Sequence, residues 1–209
     1  MVLDTSLDPE FFSSPEGAEG IELAQASPSG AEPVGQISAL QGSVSIVRTD
    51  GTKVQASDGA PIYQGDTIET SDGGAIGITF ADESTFSLAD QGSMTIDEMV
   101  YDPATQSGSS AVSVAEGLFT FVSGQIAKTD VDASLITTPV ATIGIRGTSG
   151  GGQAAPEGQP NIISMFADAG GGAGEIIINT QGGAQTLSTP NQTSHISSGF
   201  VPPTKPVVL

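Results

Sequence analysis

GAIGITF at Gly74–Phe80, TFSL at Thr85–Leu88 and SMTI at Ser93–Ile96 alternate large apolar residues with small or polar ones. Alternation with period two puts the apolar set on one face of a strand, so these segments predict β-structure with one side buried. Turn chemistry brackets each of them: Ser71-Asp72-Gly73-Gly74, Ala81-Asp82-Glu83-Ser84 and Ala89–Gly92 supply the Gly, Asp and Ser that tight turns favour.

The same punctuation spreads outward in both directions. Upstream, Gln36–Val47 carries Ile37, Val44 and Ile46, Thr49-Asp50-Gly51-Thr52 reads as a hairpin turn, and Ile62–Thr70 follows. Downstream come Val112–Val114, Leu118–Val122, Leu135–Thr137 and Ala141–Ile145, then Ile162–Phe166, Glu175–Asn179 and Thr186–Leu187. The fold class is therefore all-β, with many short strands that suit a sandwich, a barrel or a β-solenoid. With 28 Gly and 13 Pro, helix is expected to be minor.

Composition divides the chain further. Residues 1–34 hold seven acidic groups and no Lys or Arg, which predicts a disordered acidic leader. Residues 35–148 form the main β domain, 149–160 read as a Gly-rich bridge, 161–198 as a trailing β segment of the same sheet system, and 199–209 as an extended, Pro-rich tail.

The formal net charge of -19 disfavours nucleic acid and anionic membrane surfaces. It serves solubility, or attracts divalent cations or basic partners. No apolar run is long enough to span a membrane, and the start MVLDTSLDPEFF lacks the basic and apolar regions of a Sec signal peptide. Cysteine is absent, so neither disulfides nor thiolate metal sites are available.

Ile62-Tyr63-Gln64-Gly65-Asp66-Thr67-Ile68-Glu69-Thr70, with the strand and acidic turn after it, resembles the FecR-like domain and its "GD-x-I-x-T" pattern. Gly117–Gly124 (GLFTFVSG) and Thr138–Thr148, ending in Arg146-Gly147-Thr148, resemble that family's "TP-x-A-x-x-x-x-RGT" close. The resemblance runs over roughly residues 35–195. It implies a non-enzymatic, extracytoplasmic or surface-displayed bacterial module that works through protein or envelope contacts, including signalling. The missing tryptophan and the lack of a membrane helix or a cytoplasmic helical segment before the domain depart from the sigma-factor regulators of the family.

Under this resemblance Gly65, Asp66, Thr70, Pro139, Arg146, Gly147 and Thr148 are structural motif residues. The Asp66 carboxylate is expected to pin its turn by accepting backbone N–H bonds. Pro139 holds Thr138 extended. Arg146, one of few cations, is expected to pair with a carboxylate.

Reactive constellations are sparse. Gly147–Gly151 fits G-x-S-x-G around Ser149, but a hydrolase would need the only His, His195, as its base. Asp66, Asp72 and Asp82 fall at strand ends and are the candidates for Ca²⁺, which would support a calcium-assisted adhesion or surface-display role; no EF-hand spacing accompanies them. Gly171–Glu175 begins like a calcium-binding nonapeptide but reads as a turn. The pairs Asp82-Glu83 and Asp97-Glu98 point to opposite strand faces, unsuited to a glycosidase. The reading is no enzyme, no required cofactor, a protein or envelope partner, and contact through a free sheet edge by β-augmentation.

Overall fold

The computed structural model describes residues 30–130, 132–167 and 174–209. Among the described residues seventeen strands, numbered in chain order, make two sheets joined by one shared strand. Sheet I runs, in spatial order, β3 (Lys53–Gln55), β2 (Val44–Val47), β5 (Thr67–Thr70), β8 (Ser93–Asp102), the first part of β9 (Ser107–Val122), β10 (Ser134–Thr137), β11 (Thr142–Arg146), β14 (Glu175–Thr180) and β15 (Gly183–Leu187). Sheet II runs β4 (Pro61–Ile62), β1 (Gly35–Gln41), β6 (Ala75–Phe80), β7 (Thr85–Leu88), the last part of β9, β12 (Ser149–Ala154), β13 (Asn161–Met165), β16 (Gln192–Ile196) and β17 (Val207–Val208). Only β9 and β10 pair in parallel. Helix among the described residues is one 3-10 turn, Ile126–Lys128.

The apolar sets of both sheets meet in one core. Ile46, Ile68, Met94 and Ile143 come from sheet I, and Ile78, Leu88, Phe119 and Ile163 from sheet II, all within 2% of full burial. Each such side chain contributes about 1.5–3 kcal/mol of transfer free energy. Phe86 and Phe119 stack between neighbouring strands β7 and β9, ring centroids 5.7 Å apart.

Strand β9 ties the layers together. Its residues up to Glu116 pair with β8 of sheet I, and from Gly117 onward it pairs with β7 and β12 of sheet II. The change of sheet occurs at Gly117, whose φ of +116° belongs to glycine and where a Cβ would lie 2.7 Å from the Gly92 Cα.

One compositional expectation gives way. Ser149–Ala154 is no flexible bridge but strand β12, central in sheet II. Its glycines serve close packing: a side chain at Gly150 would meet the Phe121 ring at 2.8 Å and Ile176 of the opposite sheet at 3.0 Å, and one at Gly151 would meet the Phe119 carbonyl at 2.6 Å. The tail is extended but docked, since Thr204 N–H donates to the His195 carbonyl at 2.9 Å, and Val207 and Val208 pair with β16. Glu157 accepts the Gly199 N–H at 2.9 Å, a bond that holds its carboxyl below the usual range. Of the expected leader, 1–29 lies outside the described residues, as do 171–173 of the nonapeptide-like turn; Val34 is bonded to Ile62 and Ala81.

Replacing Gly117 with Val is expected to cost about 2–4 kcal/mol, from a strained φ combined with the clash against Gly92. Urea unfolding monitored by circular dichroism measures it, and an unchanged midpoint would contradict the corner role.

Candidate interaction surface

Most of the motif residues sit at corners where the chain changes sheets. Tyr63–Asp66 carries it from β4 of sheet II to β5 of sheet I, and Gly147-Thr148 returns it from β11 to β12. At the first corner Gly65, φ +85°, donates its N–H to the Ile96 carbonyl at 2.7 Å, with the Thr49 methyl where a Cβ would stand. Asp66, 1% exposed, accepts the Tyr63 N–H at 2.8 Å and forms a buried ion pair with Arg48, whose guanidinium lies 4.9 Å from the centre of the Tyr63 ring. Burial pushes the Asp66 carboxyl up, against the opposing pull of the Tyr63 N–H and the Arg48 charge.

The remaining motif positions are also structural. Thr70 closes the β7–β8 corner: its hydroxyl donates to the Ala89 carbonyl at 2.6 Å and accepts the Gly92 N–H at 2.8 Å. Pro139 lies in the β10–β11 turn, clasped by Thr138 and Ala141. Arg146 pairs with Glu175 directly across from it on β14, at 3.0 Å. Gly147 takes φ +55° and donates to the Ala127 carbonyl, while the Thr148 carbonyl accepts the Ser123 N–H.

The carboxylates proposed for calcium are not gathered. Asp82, 2% exposed, accepts from the Ser84 N–H and hydroxyl and from the Ile126 N–H, which ties the β6–β7 turn to the 3-10 turn. Asp66 is engaged with Arg48 and Tyr63, and Asp72 lies exposed in another turn. Among the described residues no three His, Cys, Asp or Glu side chains form a metal-sized group. Ser149 lies in strand β12, not at a strand-to-helix elbow, and His195 is two strands away, opposite Ile162, which faces Gln153.

What sequence reasoning missed is a difference between the two outer faces. Sheet I shows charge: Lys53 bonds Glu69 at 2.7 Å, Arg146 bonds Glu175, and Asp97 accepts the Ser113 hydroxyl. The outer face of sheet II holds a groove of about 640 Å³ whose lining includes no Asp, Glu, Lys or Arg. Strand register lays its floor as a row of small residues, Ala39, Gly77, Ser87, Thr120, Gly151 and Ser164, each beside the next on neighbouring strands. Leu118, 56% exposed, rises on one side with Ile162; Phe166, 40% exposed, rises on the other. Near the Leu118 end, the turns carry the exposed Asp72 and Asp90, and β9 carries the exposed Glu116 two residues before Leu118. The outward-facing half of the period-two pattern was the available signal.

Three of the four sheet edges discourage added strands: β4 and β17 have two residues each, β3 has three and begins with Lys53, and β4 begins with Pro61. The fourth, β15, is five residues long, carries neither Pro nor charge and has its ladder with β14 alone.

Residues 66–166 match the family described as FecR protein. No curated protein matches. Among solved structures, a cell surface anchoring domain is 27% identical, with 30% of this chain covering 82% of that one at a TM-score of 0.29. Two structures of an anti-sigma factor assignment from Parabacteroides distasonis are 14% and 17% identical, at TM-scores of 0.48 and 0.47; each aligns with 63% of this chain, which spans 54% of their length. No helix among the described residues is long and apolar enough to cross a membrane.

Arg48→Met should cost about 3–5 kcal/mol, because it leaves a carboxylate buried without its cation. The sign of the pH dependence follows from the raised carboxyl: the folded state holds this proton more tightly, so the group's contribution is present below the ordinary value of 3.8 and is lost as pH rises through the folded value. The loss in Arg48→Met should therefore be larger at neutral pH than in acid. Equal losses at both pH values, in urea titrations, would contradict the buried pair.

Proposed function

We propose that this chain, which carries a FecR domain, is a non-enzymatic protein-binding module of bacterial signalling that works on the extracytoplasmic side and uses the outer face of sheet II as its contact surface. The observation that carries this reading is the uncharged groove on a chain of net charge -19. Acidic side chains keep the rest of the surface solvated, so a face without them, with Leu118 and Phe166 exposed together, is built to be covered. Such a patch desolvates at little cost, whereas covering exposed charges loses hydration that contact must restore.

The FecR match supports a regulatory role over catalysis, and the scarcity of reactive side chains agrees with it. The extracytoplasmic placement rests on the family resemblance and on a cysteine-free, acidic composition. No cofactor is part of this reading, since the buried carboxylates are already satisfied by protein donors.

A photo-crosslinking residue at Thr120, on the groove floor, should trap a protein partner in the bacterium, whereas the same residue at Thr137, exposed on sheet I, should not. Equal crosslinking at both positions would contradict the assignment of the face. Millimolar Ca²⁺ should leave the melting temperature unchanged; a stabilisation approaching about 2.7 kcal/mol, the gain at a hundredfold excess over Kd, would restore the calcium-dependent reading.

A further inference from the structure

The geometry points to an amphipathic α-helix with Lys or Arg flanking its apolar stripe as the occupant of the sheet II groove, an inference that rests on the protein-binding reading above. Three features select it. The floor of small residues crosses six strands, β1, β6, β7, β9, β12 and β13, so the groove is about 24 Å long at the usual strand spacing. Its walls stand on the rows of Ile162 and Phe166, four residues apart along β13 and the residue that follows it, about 13 Å. A helix with its side chains is about 10–12 Å across, and about sixteen residues of it span 24 Å.

An added β-strand would need ladder groups, and a sheet face presents none. Small floor residues allow a helix to sit close to the backbone, with its apolar side chains between the walls. Charge selects the flanks: the groove itself is neutral, while Asp72, Asp90 and Glu116 border its Leu118 end. Basic residues beside the helix's apolar stripe meet those carboxylates, which steers association and fixes orientation. A second copy of this chain would bring the same acidic borders and another net charge of -19 to the interface.

The test uses the full chain and a fluorescein-labelled peptide of about eighteen residues, with a Leu and Ala apolar face flanked by Lys. Fluorescence anisotropy should show saturable binding, weakened about tenfold or more by Ser87→Lys with Thr120→Lys, and likewise by Leu118→Lys alone. All three positions are exposed, and a thermal melt verifies that the variants fold. A peptide of the same composition scrambled to remove the helical stripe, and one with Glu in place of Lys, should bind at least about tenfold more weakly. Equal binding by the scrambled peptide, or no effect of the groove variants, would overturn the inference. So would a dimer in sedimentation equilibrium that Ser87→Lys with Thr120→Lys dissolves, which would assign the groove to a second copy. If the peptide fails while crosslinking at Thr120 persists, the helical occupant falls and the protein-binding reading stands; if both fail, both fall.

Discussion

A strand that belongs to two sheets fixes everything else in this fold. Because β9 leaves sheet I at Glu116 and enters sheet II at Gly117, the sheets cannot slide relative to one another without breaking its ladders on both sides. The other corners obey the same constraint. Gly65-Asp66 and Gly147-Thr148 turn the chain between layers, and the Asp66 carboxylate with the main-chain bonds of Gly65, Gly147 and Thr148 replaces the ladder bonds that a corner interrupts. The motif set thus reads physically mostly as corner pieces. This explains why its residues are buried or bonded within the chain and offer little to a ligand.

Much of this was legible in the sequence. Period two in Gly74–Phe80 fixed the buried set of β6, and the Gly-Asp turns located the corners on either side. Asp66 pinning its turn and Arg146 meeting a carboxylate also followed from residue chemistry, although the Asp66 partner Arg48 lies eighteen positions away and no local pattern announces it. The Gly-rich stretch after Arg146 was misread because composition cannot separate glycine used for mobility from glycine demanded by close packing. Phe121 and Ile176, the groups that exclude a side chain at Gly150, come from distant parts of the chain. Strand β16 escaped for a related reason: Gln192–Ile196 is polar, and only pairing with β13 and β17 defines it.

The candidate surface was hidden by the question put to the sequence. A search for reactive groups finds carboxylates, and here the two most buried, Asp66 and Asp82, hold the backbone together. The informative feature is where charge is missing. Each outward residue of the central strands of sheet II is unremarkable alone; strand register turns them into a continuous neutral floor between apolar walls. Charge and the neutral face coexist because the two packed sheets place them on opposite layers.

The central claim, that the neutral face of sheet II is covered in the working state, is tested most directly by carbene footprinting of the purified chain and of the chain in living cells. Leu118 and Val100 are nearly equally exposed, 56% and 57%, and Val100 lies outside the groove on β8. The account predicts that both label in the purified protein and that Leu118 alone is protected in cells. Unchanged labelling of Leu118, or protection of Val100 in its place, would contradict it.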